Sequence, residues 1–133
     1  MNIKRFALAS LGAFVFVFVY EFIVHGFLMM SLYEQTADVW RPEEESSMLV
    51  MLISQFLFAA ALAFFYPIVG LDDEKCKKAL PFGVGLGLLM AMPSIGTYCY
   101  LPIPITISLL WAVIAFLKAL GGTCIVSKIY NWN

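Results

Sequence analysis

Apolar residues fall along this chain in four long blocks, separated by short stretches that hold nearly all of the charge. Each block approaches or exceeds the roughly 20 residues that a helix needs to cross a bilayer. The first runs from about Phe6 to Leu32 and is interrupted only by Glu21 and His25, while the second, about Met48 to Gly70, has Gln55 as its one strongly polar side chain. The third runs from about Ala79 to Tyr100, with Pro81 near its start and Pro93 inside. The fourth runs from about Pro104 to Ile129, with Lys118 as its only charge at membrane depth. Connections this short make consecutive helices antiparallel neighbours. The predicted fold is therefore an all-α membrane protein, a single domain over 1–133, with four transmembrane helices in an up-down-up-down bundle and no soluble domain attached.

The loops set an orientation. Lys4, Arg5, Lys75, Lys77, Lys78 and Lys128 fall on one side of the four-span arrangement and Arg41 alone on the other, which places both termini in the cytoplasm. The opposite loop is acidic, and Tyr33, Trp40, Tyr98 and Tyr100 lie where an aromatic belt belongs. Lys4-Arg5 before an apolar stretch resembles a secretory signal, but the stretch continues past signal length with no small-x-small cleavage site before Glu21, so it reads as a retained first helix. Pro42 followed by Glu43, Glu44 and Glu45 predicts that the second helix starts within the loop. Asp72, Asp73 and Glu74 are placed to cap the third.

Composition narrows the function. The chain is 62% hydrophobic and 13% charged, with a mean hydropathy of +0.90, outside the range of water-soluble domains. Its net charge of −1, from 8 basic and 9 acidic residues, with no basic stretch interleaved with aromatics, excludes a nucleic-acid partner. Cys76, Cys99 and Cys124 have neither an even count nor a CxxC spacing, so no disulfide framework or zinc knuckle is indicated. No HExxH segment or nucleophile triad is present, and the reading leans away from an enzyme.

Ionisable groups at bilayer depth cost a few kcal/mol on insertion scales, so Glu21, His25 and Lys118 are where function is expected to show. Glu21 and His25 are four apart and share a helix face, which should point inward. At 1.5 Å rise per residue, Glu21, Gln55 and Ser94 all fall at about 22 Å from the cytoplasmic end of their spans, with His25, Tyr98 and Ser108 at about 28 Å. Two readings follow for this cluster. Glu21 can serve as structural glue, hydrogen-bonded to Gln55, Ser94 or His25, or Glu21 and His25 can form a proton-carrying or ligand-binding pair. Lys118, at about 16 Å, is expected to snorkel toward the cytoplasm in preference to pairing with Glu21.

The small residues suggest close helix packing. Gly83 and Gly87 form a GxxxG face on the third helix, and Gly121 and Gly122 flatten the fourth, to pack within the chain or against a partner. Soft side chains raise copper as a weak possibility, with His25, Met29, Met51 and Cys99 as candidate ligands, although methionine is the ordinary filler of irregular cores. No other cofactor is indicated.

Glu21-x-x-x-His25-Gly26, Tyr33-x-x-Thr36-x-x-x-Trp40-Arg41-Pro42, Gly96-Thr97-Tyr98 and Leu101-Pro102-Ile103-Pro104 together resemble a family of small four-helix bacterial inner-membrane proteins of uncharacterised function. The resemblance implies a bacterial inner-membrane location and marks Glu21, His25, Tyr33, Trp40 and Arg41 as motif positions. It carries no activity or cofactor. The expected function is a non-enzymatic accessory or assembly subunit, packed in the lipid bilayer against other membrane subunits or itself. The alternative is a small proton or metal-ion transporter using the Glu21/His25 pair.

Overall fold

The structure is a computed structural model that describes residues 2–69 and 78–132. All described regular structure is helical: α1 spans Ile3–Ile23, α2 Met30–Glu34, α3 Met48–Ile68, α4 Ala79–Gly96 and α5 Ile105–Tyr130. Four stretches, Ile3–Leu28, Met48–Ile68, Ala79–Cys99 and Ile105–Tyr130, are long and apolar enough to cross a membrane. This is the architecture of a multi-pass membrane protein. The Asp72, Asp73 and Glu74 cap and the residues Lys75, Cys76 and Lys77 lie outside the described residues.

Side-chain pairs fix the direction of each helix. Phe6 meets Phe64 and Phe14 meets Phe56 at centroid distances of 6.5 and 5.7 Å, so α1 and α3 are antiparallel. The start of α1 also meets the end of α5: Arg5 donates from Nη1 to the Tyr130 carbonyl at 2.7 Å and from Nη2 to the Trp132 carbonyl at 3.1 Å. These carbonyls lie in and just beyond the last turn of α5, where carbonyls lack intrahelical partners. Thr97 bonds Ser108 at 3.1 Å across the α4–α5 turn, and Gly83 lies against Leu120 and Thr123 further along both helices. The described ends of the chain therefore share one end of the molecule, and α2 lies at the other.

Packing departs from a sequential ring of neighbours. α5 touches α1, α3 and α4, whereas an apolar groove of 320 Å³ lined by Phe58, Leu62, Phe65, Phe82 and Leu86 runs between α3 and α4. The reason is the distribution of small residues. A side chain on Gly87 would collide with the Phe116 ring and approach its backbone carbonyl, and one on Gly121 would strike the Phe16 ring. Gly122 lies against Leu62 in the same way. The glycine faces thus serve contacts within the chain, and bring α4 onto α5 and α5 onto α1 and α3.

Local sequence explains the breaks. Helix α1 does not continue unbroken to Leu32: it widens into a π-helical turn over Val24–Leu28, then restarts as α2. The second spanning helix does not begin within the acidic loop either. Glu43–Glu45 forms a separate 3₁₀ turn, and Ser47 caps α3 by accepting from the Val50 amide at 3.4 Å. Pro67, inside α3, has no N–H to give to the Ala63 carbonyl four residues earlier. The Tyr130 hydroxyl donates to that carbonyl at 3.0 Å instead.

Gly87→Ala should destabilise the protein by about 1–3 kcal/mol through overpacking against Phe116. Gly85→Ala, with nothing within 4 Å of the new carbon, should be neutral or slightly stabilising. Denaturant unfolding in mixed micelles, followed by circular dichroism, distinguishes the two.

Candidate functional site

The π-helical turn is where the site is built. A π-turn inserts an extra residue into a helix and recurs at functional positions; here it carries His25 and Gly26. His25 Nε2 lies 2.9 Å from Glu21 Oε2, and His25 Nδ1 is hydrogen-bonded to the Tyr33 hydroxyl at 2.5 Å. The two rings lie nearly parallel, 7° apart in plane. Tyr33 Oη also accepts from Trp111 Nε1 at 2.8 Å and lies 3.4 Å from Met29 Sδ, to which it can donate.

At the other end of this chain of contacts, Lys118 Nζ sits 2.6 Å from Glu21 Oε1. The snorkelling expected of Lys118 is not what the structure shows. The lysine turns into the protein to meet the carboxylate, and its ammonium also faces the Phe58 ring at 5.7 Å. The Glu21 and Lys118 side chains retain 15% and 21% of their exposure, so in hydrocarbon surroundings neither charge has water enough to stand alone. Tyr20 adds a further tie between the same helices by donating to the Ile114 carbonyl at 3.0 Å.

These contacts set the proton positions. An ionised carboxylate can only accept, so Nε2 of His25 carries hydrogen and, in the neutral ring, Nδ1 accepts the Tyr33 O–H. If the ring takes a second proton, Nδ1–H donates to the Tyr33 oxygen, and the phenol proton can turn to Met29 Sδ. Both protonation states therefore leave each member of the chain with a partner. Burial raises the Tyr33 phenol above its ordinary 10.0, the nearby Glu21 charge adds to the rise, and the Trp111 N–H offsets part of it.

The outer motif has a structural basis. Thr36 Oγ1 donates to the Leu32 carbonyl at 2.9 Å, and Trp40 Nε1 donates to Thr36 Oγ1 at 2.9 Å and to the Tyr33 carbonyl at 3.2 Å. The Trp40 ring packs on both Tyr33 and Trp111, with centroids 5.3 and 5.8 Å away. Tyr33, Thr36 and Trp40 thus form a clasp that holds the phenol over His25. Arg41 is exposed and contributes to the wall of a 940 Å³ cleft with Tyr33, Trp40 and His25.

Three hollows converge on this chain. His25 borders the 940 Å³ cleft, a 160 Å³ cavity that also touches Ser94 and Trp111, and a 780 Å³ cavity between α1 and α3 that reaches Gln55 and Met51. Glu21 and Lys118 border both of the latter two. Gln55 and Ser94 therefore each border a hollow that Glu21 also borders, but across open space: the Ser94 hydroxyl donates to the Met90 carbonyl of its own helix at 3.3 Å. Tyr98 is not part of the group. It is 50% exposed in the 3₁₀ turn that ends the third span, and the partner of the fully buried Ser108 is its neighbour Thr97. Trp111 was not anticipated from the sequence, although an indole N–H deep in an apolar span is itself a signal, since it needs an acceptor.

Of the candidate copper ligands, His25 and Met29 both meet the Tyr33 hydroxyl and Met51 lines a cavity that His25 also borders. Both ring nitrogens of His25 are engaged, Met29 Sδ sits against the Tyr33 hydroxyl, and Cys99 is exposed in the turn after α4. Among the described residues no group of three or more His, Cys, Asp or Glu could hold a metal ion.

Comparison with protein-family models, curated proteins and solved structures finds no match. The resemblance noted above rests on its motif residues alone.

Two outcomes test this geometry. Glu21→Gln strands the Lys118 ammonium and should cost about 3–5 kcal/mol, whereas Glu21→Gln combined with Lys118→Met should recover most of that loss, as a double-mutant unfolding cycle would show. The folded Tyr33 phenol holds its proton more tightly than the unfolded one, so its contribution to stability is whole below pH 10 and is lost as pH rises through the folded value. Tyr33→Phe should flatten the alkaline limb of a stability-against-pH curve.

Proposed function

We propose that this chain is a small proton-handling transporter or channel of the membrane, with His25 and Glu21 as the exchanging pair. One observation carries the reading: the continuous contacts Lys118–Glu21–His25–Tyr33–Trp111 let His25 gain and lose a proton without leaving any member unpaired. Tyr33 connects the pair to the cleft at the α2 end, and Lys118 balances the carboxylate so that its charge is tolerated at this depth. A metal cation is disfavoured as cargo, because the ammonium beside Glu21 occupies the place a cation would take.

The opposite half of the molecule is tightly packed where α1, α3 and α5 meet. Ala9, Ala13, Ala59, Ala63, Tyr66 and Val126 are buried together there. The proton site therefore communicates with the α2 end, and passage to the terminal end requires that this packed half open. Lys4, Arg5, Lys78 and Lys128 cluster toward the terminal end, which supports placing that end in the cytoplasm, with the helices in up-down-up-down order across a bacterial inner membrane. The accessory-subunit reading drew on the glycine faces. Gly83, Gly87, Gly121 and Gly122 pack inside the chain, so they do not speak for a partner.

Purified protein in liposomes with an imposed pH gradient should dissipate that gradient, and a pH-sensitive dye in the lumen reads the rate. His25→Ala and Glu21→Gln should each slow it at least tenfold, with helical content checked by circular dichroism. Unchanged flux in both variants, or none from the parent protein, removes the proposal.

A further inference from the structure

The α1–α3 side of the site holds polar groups that the protein itself leaves unsatisfied. The 780 Å³ cavity there has Phe22, Met48 and Met51 around it and Glu21, Lys118 and Gln55 at its polar part. Gln55 Oε1 is buried and has no hydrogen-bond partner among the described residues. In apolar surroundings such a group costs about 1–3 kcal/mol until a partner arrives. Lys118 has three donors, of which the Glu21 oxygen engages one, and its other contact is the face of Phe58.

Access and charge restrict what could fill this space. Phe22, Met48 and Met51 are exposed on the helix surface, so the cavity opens sideways, on faces that meet hydrocarbon when the helices span a bilayer. An occupant can enter from the lipid phase. The Glu21 carboxylate and the Lys118 ammonium cancel, so an ion brought to this place meets a like charge as well as an opposite one. A neutral hydroxyl head that accepts from Lys118 and donates its O–H to Gln55 Oε1 satisfies both without that cost. The volume lies within the roughly 300–1,000 Å³ typical of small-molecule sites.

We propose that the α1–α3 cavity binds an uncharged amphiphile from the bilayer, its head bearing hydroxyl groups that donate to Gln55 Oε1 and accept from Lys118. Its hydrocarbon part lies between Phe22, Met48 and Met51. The proposal uses the same Glu21 centre as the proton-handling reading and rests on its geometry, but binding is measured without a gradient, so either can fail alone.

The test titrates the full chain in phosphatidylcholine nanodiscs and counts retained ligand by native mass spectrometry. The probes are decylubiquinol, kept reduced under anoxia, with phenolic hydroxyls, and monooleoylglycerol, with alcohol hydroxyls; oleate and dodecyltrimethylammonium are the charged comparisons. At least one neutral probe should bind saturably and one per chain, with the charged comparisons at least tenfold weaker. Gln55→Leu, which removes a polar group from an apolar helix and so preserves folding, should weaken the neutral probe about tenfold, the equivalent of one hydrogen bond. Binding of one neutral probe alone identifies the head as quinol-like or as glycerol-like, and supports the proposal either way. Saturable binding of neither, equal binding of a charged amphiphile, or an unaltered affinity in Gln55→Leu would overturn it.

Discussion

The ion pair between Glu21 and Lys118 is the constraint on which the rest of this architecture depends. A carboxylate and an ammonium placed well inside apolar helices cannot rely on water, and each is tolerable there only because the other is within 2.6 Å. That requirement fixes the rotation and the axial register of α1 against α5. With those set, Tyr20 reaches the Ile114 carbonyl, Trp111 comes level with Tyr33, and His25, one turn beyond Glu21, is directed toward the protein interior. The polar chain is thus assembled by one electrostatic demand and extended by hydrogen bonds.

Close packing makes the pair possible. Ammonium and carboxylate can meet only if the helices carrying them approach closely, and Gly121 against Phe16 and Gly122 against Leu62 remove the side chains that would hold α5 away from α1 and α3. The same economy of volume explains the contrast between the two halves of the molecule. Toward the terminal end, alanines and hydroxyl-bearing residues fill the space where α1, α3 and α5 meet, with the apolar groove set aside between α3 and α4, and Tyr130 satisfies the carbonyl that Pro67 leaves unpaired. Toward the α2 end, aromatic and polar side chains border three hollows around His25. The interior is closed where α1, α3 and α5 meet and open around His25.

The π-helical turn joins these halves to the surface motif. A regular helix continued past Ile23 would have carried Met29 and Tyr33 around a different face. Widening over Val24–Leu28 lets the chain restart as α2 with the Tyr33 phenol folded back over His25, and the Thr36–Trp40 clasp keeps it there. The spacing of Tyr33, Thr36 and Trp40 is consequently a local fold with a defined job. It supplies a second partner for the imidazole and a neutral hydroxyl whose proton has two places to go.

The four apolar blocks, the helix class and the prominence of Glu21, His25 and Lys118 were all legible in the sequence, because a bilayer-length apolar run and a charge within it are statements about one segment's own composition. Helical rise converts position into depth, which grouped Glu21 with Gln55 and Ser94, and in the structure these residues border shared hollows. What composition could not supply was direction. A lysine stem is long enough to reach water or a carboxylate, and only the neighbouring helix decides which. Nor could spacing reveal the π-turn, the outward rotation of Tyr98, the inward duty of Gly83 and Gly87, or the groove that separates α3 from α4. Each of these depends on which surfaces are pressed together, a property of pairs of helices that no single helix encodes.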